Sequence, residues 1–346
     1  MRQIIDNWYD GQLWYSGQAV LVADGAIGTG LFKRGLTSGD SPELWNIDKP
    51  DAVLDLHREF VQAGSDVILT NSFGGNRLRL KLHGLEARVG EFMRAGAALA
   101  RRAADESVRE CRVAGSIGPT GELVEPDGPL TTAEAYQVFR EQAHALAEGG
   151  VDLIWIETMS SLSEIDAAIK AAAETGLPIV ATMTFDTNAH TMMGIAPAKA
   201  WSHLRTADEQ MIAVGANCGL GPADTLAACW RMTQDDQQSL PVPVLITKSN
   251  CGVPQYRDGQ FHFSGTKELM RDHAELAIDM GVKIIGGCCG SDGPIIAAIR
   301  DAVDHHRAGP RPDLDRLQAR LGEITPLAPA QGKTGERRRS RRRSAS

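Results

Sequence analysis

Residues 153–164 read LIWIETMSSLSE. The run from Leu153 to Glu157 is short and apolar, which marks a buried strand, and it ends on a carboxylate. Four residues further on, Ser161-x-x-Glu164 has the form of a capping box that opens a helix. One strand, a polar tip and one helix make a unit, and the unit recurs in both directions. Apolar runs lie at Ala19 to Ala23, Val67 to Asn71, Arg112 to Ser116, Ile179 to Thr184, Ile212 to Ala216, Val244 to Thr247 and Val282 to Gly287. Helix-like periodicity fills the gaps, with a second capping box at Thr131-x-x-Glu134. Eight alternating units predict a (β/α)8 TIM barrel rather than an open doubly wound sheet.

The strand ends support closure. They read Asp24, Asn71, Ser116, Glu157, Asp186, Cys218, Ser249 and the pair Cys288–Cys289, most of them followed by glycine or another turn residue. Barrel enzymes gather their chemistry at the C-terminal ends of the strands, so eight distant segments are expected to point polar groups at one mouth.

Length and composition fit this. The 346 residues are 42% hydrophobic, enough for a large core, and barrels of roughly 250 residues form single domains. The barrel is assigned to residues 1–306, and 307–346 to a C-terminal extension expected to be partly disordered. The formal charge is -8, yet Lys333 to Ser346 carries one lysine, six arginines and one glutamate, a net +6 that leaves -14 for the rest. An acidic body argues against a nucleic-acid substrate, and the basic tail reads as a solvated end. No apolar run approaches the roughly 20 residues that span a bilayer, and no secretory leader is evident, so a cytoplasmic location is expected.

Six cysteines in a chain of this length do not make a disulfide framework. Cys111 and Cys229 read as packing residues, as does Cys251. Cys218 in GANCG and Cys288 with Cys289 in GGCCG differ, because each follows an apolar run and is flanked by glycine. A barrel would bring these three together as metal ligands. Zinc accepts three protein ligands and keeps a fourth position open in catalytic sites. Three thiolates on zinc leave a formal charge near -1, which weakens activation of water but preserves the nucleophilicity of a bound substrate thiolate. Alkyl transfer to sulfur is then favoured over hydrolysis. Lys248, near the end of strand seven, is weighed as a Schiff-base lysine, but no activating pattern accompanies it. Most of the histidines, such as His57, His83 and His144, fall in helix-like segments and are expected at the surface.

The stretches VADGAIGTGLF, ILTNSFGGNRLRLKLHG, GSIGPTGEL, IWIETMSSL, VGANCGLGP and IIGGCCG, in this order between Leu21 and Arg300, resemble the homocysteine S-methyltransferase family. The resemblance implies zinc on Cys218, Cys288 and Cys289 with homocysteine as fourth ligand. It places Asp24 and Glu157 on the amino-acid part of homocysteine, where charge-assisted bonds to its ammonium are chemically apt. Backbone donors near Gly25, Ala26 and Ser116 are candidates for its carboxylate.

The methyl donor is open to several compounds. An onium donor needs alignment and an aromatic surface, for which Trp45, Phe73 and Phe185 are the candidates. Gly74 and Thr158 stand where the mammalian betaine enzyme has tyrosines, so its cage is not carried over. The segments FDTNAHTMMG and KSNCGVPQY nonetheless resemble bacterial proteins grouped with betaine-homocysteine methyltransferases. Betaine is the leading donor, with S-methylmethionine, dimethylsulfoniopropionate or a methylcorrinoid partner as alternatives. From another class, a non-catalytic zinc-stabilised binding protein would keep the cysteines without needing Asp24 and Glu157.

Overall fold

The computed structural model describes residues 20–37, 39–234, 243–257 and 260–327. Ala19 and the arginine-rich stretch 333–346 lie outside the described residues. Eight strands form one parallel sheet: β1 (Leu21–Val22), β2 (Val67–Leu69), β3 (Arg112–Ile117), β4 (Leu153–Met159), β5 (Ile179–Met183), β6 (Met211–Cys218), β7 (Val244–Ser249) and, after a hairpin of β8 (Pro254–Arg257) and β9 (Gln260–Phe263), β10 (Ile284–Gly287). The order is β1-β10-β7-β6-β5-β4-β3-β2, and a parallel bridge between Ala23 and Val67 joins its two edges. The expected (β/α)8 barrel is borne out, with every one of the eight apolar runs contributing a strand. The antiparallel hairpin was not among the sequence expectations.

The closing seam is the weakest in regular pairing, because β1 has two residues. Side-chain bonding supplements it: Asp66 donates its N–H to the Val22 carbonyl at 2.7 Å while its Oδ2 accepts the Val22 N–H at 2.8 Å. Arg300, from the helix Gly293–His305, pairs with the same carboxylate at 2.9 Å.

Apolar side chains divide into two cores. Inside the barrel Ala23, Val67, Leu69, Ala114, Leu153, Trp155, Val180, Ile212, Ala213, Ile246 and Ile284 fill the interior, and Trp155 is fully buried. A larger layer lies between the strands and the surrounding helices. The helix Pro50–Gln62 contributes Val53, Leu54, Leu56, Phe60 and Val61 to it, and also His57, which is buried and not at the surface as expected. The reason is its position on the apolar face of that helix, between Val53 and Phe60.

Of the two expected capping boxes, Thr131 and Glu134 form a reciprocal one at the helix Thr132–Glu148. Ser161 accepts the Glu164 N–H, but the Glu164 carboxylate turns away to take the Thr120 hydroxyl at 2.6 Å and N–H at 2.8 Å. Those bonds tie the loop after β3 to the start of the helix Leu162–Ala173 that follows β4. Beyond Arg307 the helix Leu314–Leu321 buries Leu317 and Leu321 against the barrel helices. Asp279 latches this segment, accepting from His306 at 2.8 Å and Arg316 at 3.0 Å.

Candidate active site

Side chains alternate along a strand, so residues two apart face the same way. Trp155, Ala114, Ile246 and Ile284 point into the barrel. Two residues on stand Glu157, Ser116, Lys248 and Gly286, and two beyond Gly286 stands Cys288. Each lies in the last residues of its strand or just beyond it, and Glu157, Ser116, Lys248 and Cys288 open on a cavity of about 520 Å³ at the C-terminal face of the barrel. Glu157, Ser116, Lys248, Cys218, Cys288, Cys289, Gly25, Ala26 and Phe73 all line it.

The sulfurs of Cys218, Cys288 and Cys289 lie within 4.8 Å of one another, the one group of this kind able to hold a metal ion among the described residues. Tetrahedral zinc–sulfur bonds of 2.3 Å would set the sulfurs about 3.8 Å apart, a spacing this trio approaches. Their electrostatics suit a cation. Hydrogen bonds from Cys288 and Cys289 hold the Cys218 thiol well below the ordinary range, while the same contacts push Cys288 and Cys289 up. A cation placed among the three sulfurs would favour the thiolate form of each. Backbone bonds fix the loops: Cys288 donates to the Ser249 carbonyl at 2.6 Å, and Cys251 to the Cys289 carbonyl at 2.8 Å. Cys111, Cys229 and Cys251 are buried elsewhere, and burial pushes their thiols up to about 12, 12 and 11.

Cys218 and Thr158 both have φ of 63°, a left-handed conformation rare for residues other than glycine. Such strain clusters at functional sites and persists where neighbours enforce it. Here the enforcing residue is Asn217. Its amide donates to Thr158 Oγ1 at 2.7 Å and its carbonyl oxygen accepts the Thr158 N–H at 2.8 Å.

Asp24 is fully buried, behind the cavity wall. Its Oδ2 accepts the Leu69 N–H at 2.8 Å, and its Oδ1 lies 3.0 Å from Lys248 Nζ. Burial raises the carboxyl, against the lowering effect of Lys248. Lys248 is itself 3% exposed and also donates to the Gly25 carbonyl at 3.2 Å. Burial alone would depress its ammonium, but the charges of Asp24, Glu157 and Cys288 outweigh that and raise it. An amine held protonated in this way is a poor Schiff-base nucleophile. Glu157 faces the cavity, accepts the Ser116 hydroxyl at 2.6 Å, and is pushed up to about 7 by burial, with Lys248 pulling the other way.

Of the three candidate backbone donors, two are engaged. Ala26 N–H goes to the Ser291 carbonyl and Ser116 N–H to Thr70 Oγ1, both at 3.0 Å. Gly25 tolerates no side chain, because a Cβ would sit 2.3 Å from the Ser291 oxygen and 2.6 Å from the Phe60 ring. Among the aromatic candidates Phe73 reaches the cavity, its ring lying so close over Gly118 that a Cβ there would be 2.5 Å away. Trp45 and Phe185 do not. Trp45 is buried in the outer core with Lys49 Nζ 4.2 Å from its ring centre, and Phe185 is buried in the same layer. Asp186 is exposed and Ser249 buried, and neither lines the cavity.

Fold and cavity together define a barrel protein with a small-molecule site and a thiol cluster fit for a metal at its catalytic face. The chain belongs to the homocysteine S-methyltransferase family, whose family model, "Homocysteine S-methyltransferase", matches residues 21–303. The resemblance drawn from the motifs is thereby borne out. Methionine synthase of Mycobacterium tuberculosis is 30% identical over 302 residues, which are 83% of this chain and 25% of that protein. This chain thus spans about a quarter of that relative's length. Betaine–homocysteine S-methyltransferase 1 of Mus musculus is 27% identical over 306 residues, 83% of this chain and 73% of that protein. Among solved structures, the homocysteine methyltransferase MmuM from Escherichia coli in its metallated form shares the fold, with a TM-score of 0.70 and 24% identity over 85% of this chain and 99% of that one. No helix among the described residues is long and apolar enough to cross a membrane.

Proposed function

We propose that this chain methylates the sulfur of homocysteine to form methionine, with zinc held by Cys218, Cys288 and Cys289 and betaine as the leading methyl donor. The observation that carries this reading is the convergence of three thiols within 4.8 Å of one another on a cavity that also exposes Glu157. Family membership supports homocysteine as the acceptor. Cys218, Cys288 and Cys289 would hold the zinc, which when bound would favour the thiolate form of a substrate thiol.

The protein's own groups do the rest. Glu157 receives the substrate ammonium, and Ser116 orients that carboxylate. Phe73 offers an aromatic face to an onium donor on the open side of the cavity. The sulfur attacks the donor methyl in line; with betaine the carbon–nitrogen bond breaks and its electron pair returns to nitrogen, leaving dimethylglycine. The name of the mouse relative supports betaine. S-methylmethionine, another onium donor or a methylcorrinoid partner is the alternative to betaine at the same acceptor site.

The catalytic unit is proposed as residues 1–306, with 307–346 appended to it, and the location as cytoplasmic, in keeping with six free cysteines. The test is metal analysis followed by turnover with a donor panel. Zinc-loaded protein should convert homocysteine to methionine with betaine or a related onium compound alone. Turnover that requires a methylated corrinoid protein would remove betaine and leave the homocysteine site. No homocysteine consumption with any donor would remove both.

A further inference from the structure

We propose that Glu43 binds the methyl donor, setting its carboxylate against the positive charge of the onium centre. This rests on the reading of the cavity as the site of an onium donor.

Glu43 lies in the short helical turn Pro42–Leu44 after β1 and is 3% exposed, yet it lines the cavity. A carboxylate so buried is costly unless it is hydrogen-bonded and its charge is compensated. The hydrogen bonds are present: Oε1 accepts the Gly74 N–H and Oε2 the Ser41 hydroxyl, both at 2.7 Å. The charge has no such partner. Both donors are neutral, and among the described residues Glu43 forms no ion pair. Asp24 and Glu157, by contrast, both lie in the field of Lys248.

Gly74 leaves the space beside that carboxylate free. A Cβ on Gly74 would stand 3.1 Å from Glu43 Oε1 and 3.7 Å from Oε2, so a longer side chain there would crowd the carboxylate. Gly74 and its neighbour Phe73 both line the cavity, which puts an aromatic ring and a carboxylate on one stretch of wall. The stretch is braced. Asn71 Nδ2 donates to the Pro42 carbonyl at 2.7 Å and to Asn46 Oδ1 at 2.9 Å, tying the segment after β1 to the segment after β2.

A quaternary ammonium or sulfonium centre has no hydrogen to donate, so aromatic faces and uncompensated negative charge recognise it. A carboxylate whose oxygens are already engaged by Gly74 and Ser41 can still supply that charge. Methyl transfer to sulfur neutralises the onium, so a fixed negative charge beside it stabilises the bound donor more than the transition state. Glu43 therefore acts on donor binding and not on the rate of transfer.

The test compares betaine with 3,3-dimethylbutanoate, which has the same shape with carbon in place of the charged nitrogen. In turnover of homocysteine by the zinc-loaded full chain, the KM for betaine should lie below the inhibition constant of the isostere. E43Q keeps the size of the side chain, and should raise the KM for betaine about tenfold, leave the inhibition constant of the isostere unmoved and not lower kcat. E43D keeps the charge at shorter reach and should fall between wild type and E43Q, whereas a purely structural Glu43 would make glutamine the milder change. Parallel losses for the two ligands, or a fall in kcat at unchanged KM, overturn the assignment while the onium site stands. A wild type that holds the isostere as tightly as betaine overturns it without any variant. Absence of turnover with every onium donor is a different result, and removes the donor reading together with this assignment.

Discussion

Asn217 and Thr158 grip one another through two hydrogen bonds, at 2.7 and 2.8 Å, across two strands that are not neighbours in the sheet. The grip couples Glu157, just before Thr158, to Cys218, just after Asn217. Asn217→Ala removes both bonds and leaves the left-handed turn at Thr158 without its side-chain support. The expected cost is on the order of 1 to 3 kcal/mol in stability, read by urea denaturation, with weaker zinc retention against a chelator. Wild-type zinc retention in the variant would show that the grip does not hold Cys218 in place.

The thiol assignment predicts about one zinc per chain. Cys288→Ala should lose most of the metal and the activity, while Cys229→Ala keeps both because Cys229 is fully buried in the outer core. Elemental analysis of the two purified variants decides it. Full occupancy after Cys288→Ala would refute the site.

Glu157→Gln should retain zinc and fold but bind homocysteine more weakly by about 1.5 to 3 kcal/mol, the worth of a charge-assisted hydrogen bond. Calorimetry gives the number directly. An unchanged affinity would mean that the substrate ammonium lies elsewhere.

A pH dependence of stability follows from two buried histidines. Burial depresses His57 and His273 from 6.5 to about 4, and neither ring nitrogen of His57 has a partner among the described residues. The folded chain keeps both rings neutral while the unfolded chain protonates them, so stability is full above pH 6.5 and is lost as pH falls from there towards 4. Each contributes a loss of about 2 kcal/mol by pH 5. In His57→Leu the drop in unfolding free energy between pH 7 and pH 5 should be smaller than in the wild type by that amount. Equal drops in the two proteins would assign the acid sensitivity to other groups.

The barrel and most of its mouth were legible because strand alternation and strand ends are written in local sequence. Trp155 followed two residues later by Glu157, and Ile284 followed by Cys288 at the same parity, announce an inner layer capped by reactive groups. What local sequence does not carry is which groups meet. Lys248 sits on the same inward parity as Ile246, yet its meaning depends on Asp24, more than 200 residues away. That Asp24 is buried with Lys248 Nζ 3.0 Å from its carboxylate is a fact of packing. Asn217 adjoins Cys218 in GANCG, but its partner Thr158 lies 59 residues earlier. His57 was expected at the surface because it falls in a helix, although its place on the apolar face between Val53 and Phe60 puts it in the interior.

The seam between β1 and β10 has a consequence for how the site comes into being. Asp24 leaves the first strand and Cys288 follows the last, and Gly287 N–H donates to the Asp24 carbonyl at 3.1 Å where they meet. Asp24 and two of the three thiols thus come from opposite ends of the barrel sequence, and a nascent chain that has not yet emerged past the last strand lacks Cys288 and Cys289. Contacts of such long separation form late, since loop closure must be met before they return any energy. The same seam makes activity a stringent reporter of completed synthesis: a fragment ending before residue 284 can hold much of its helical layer and still have no place to put a metal or an amino acid.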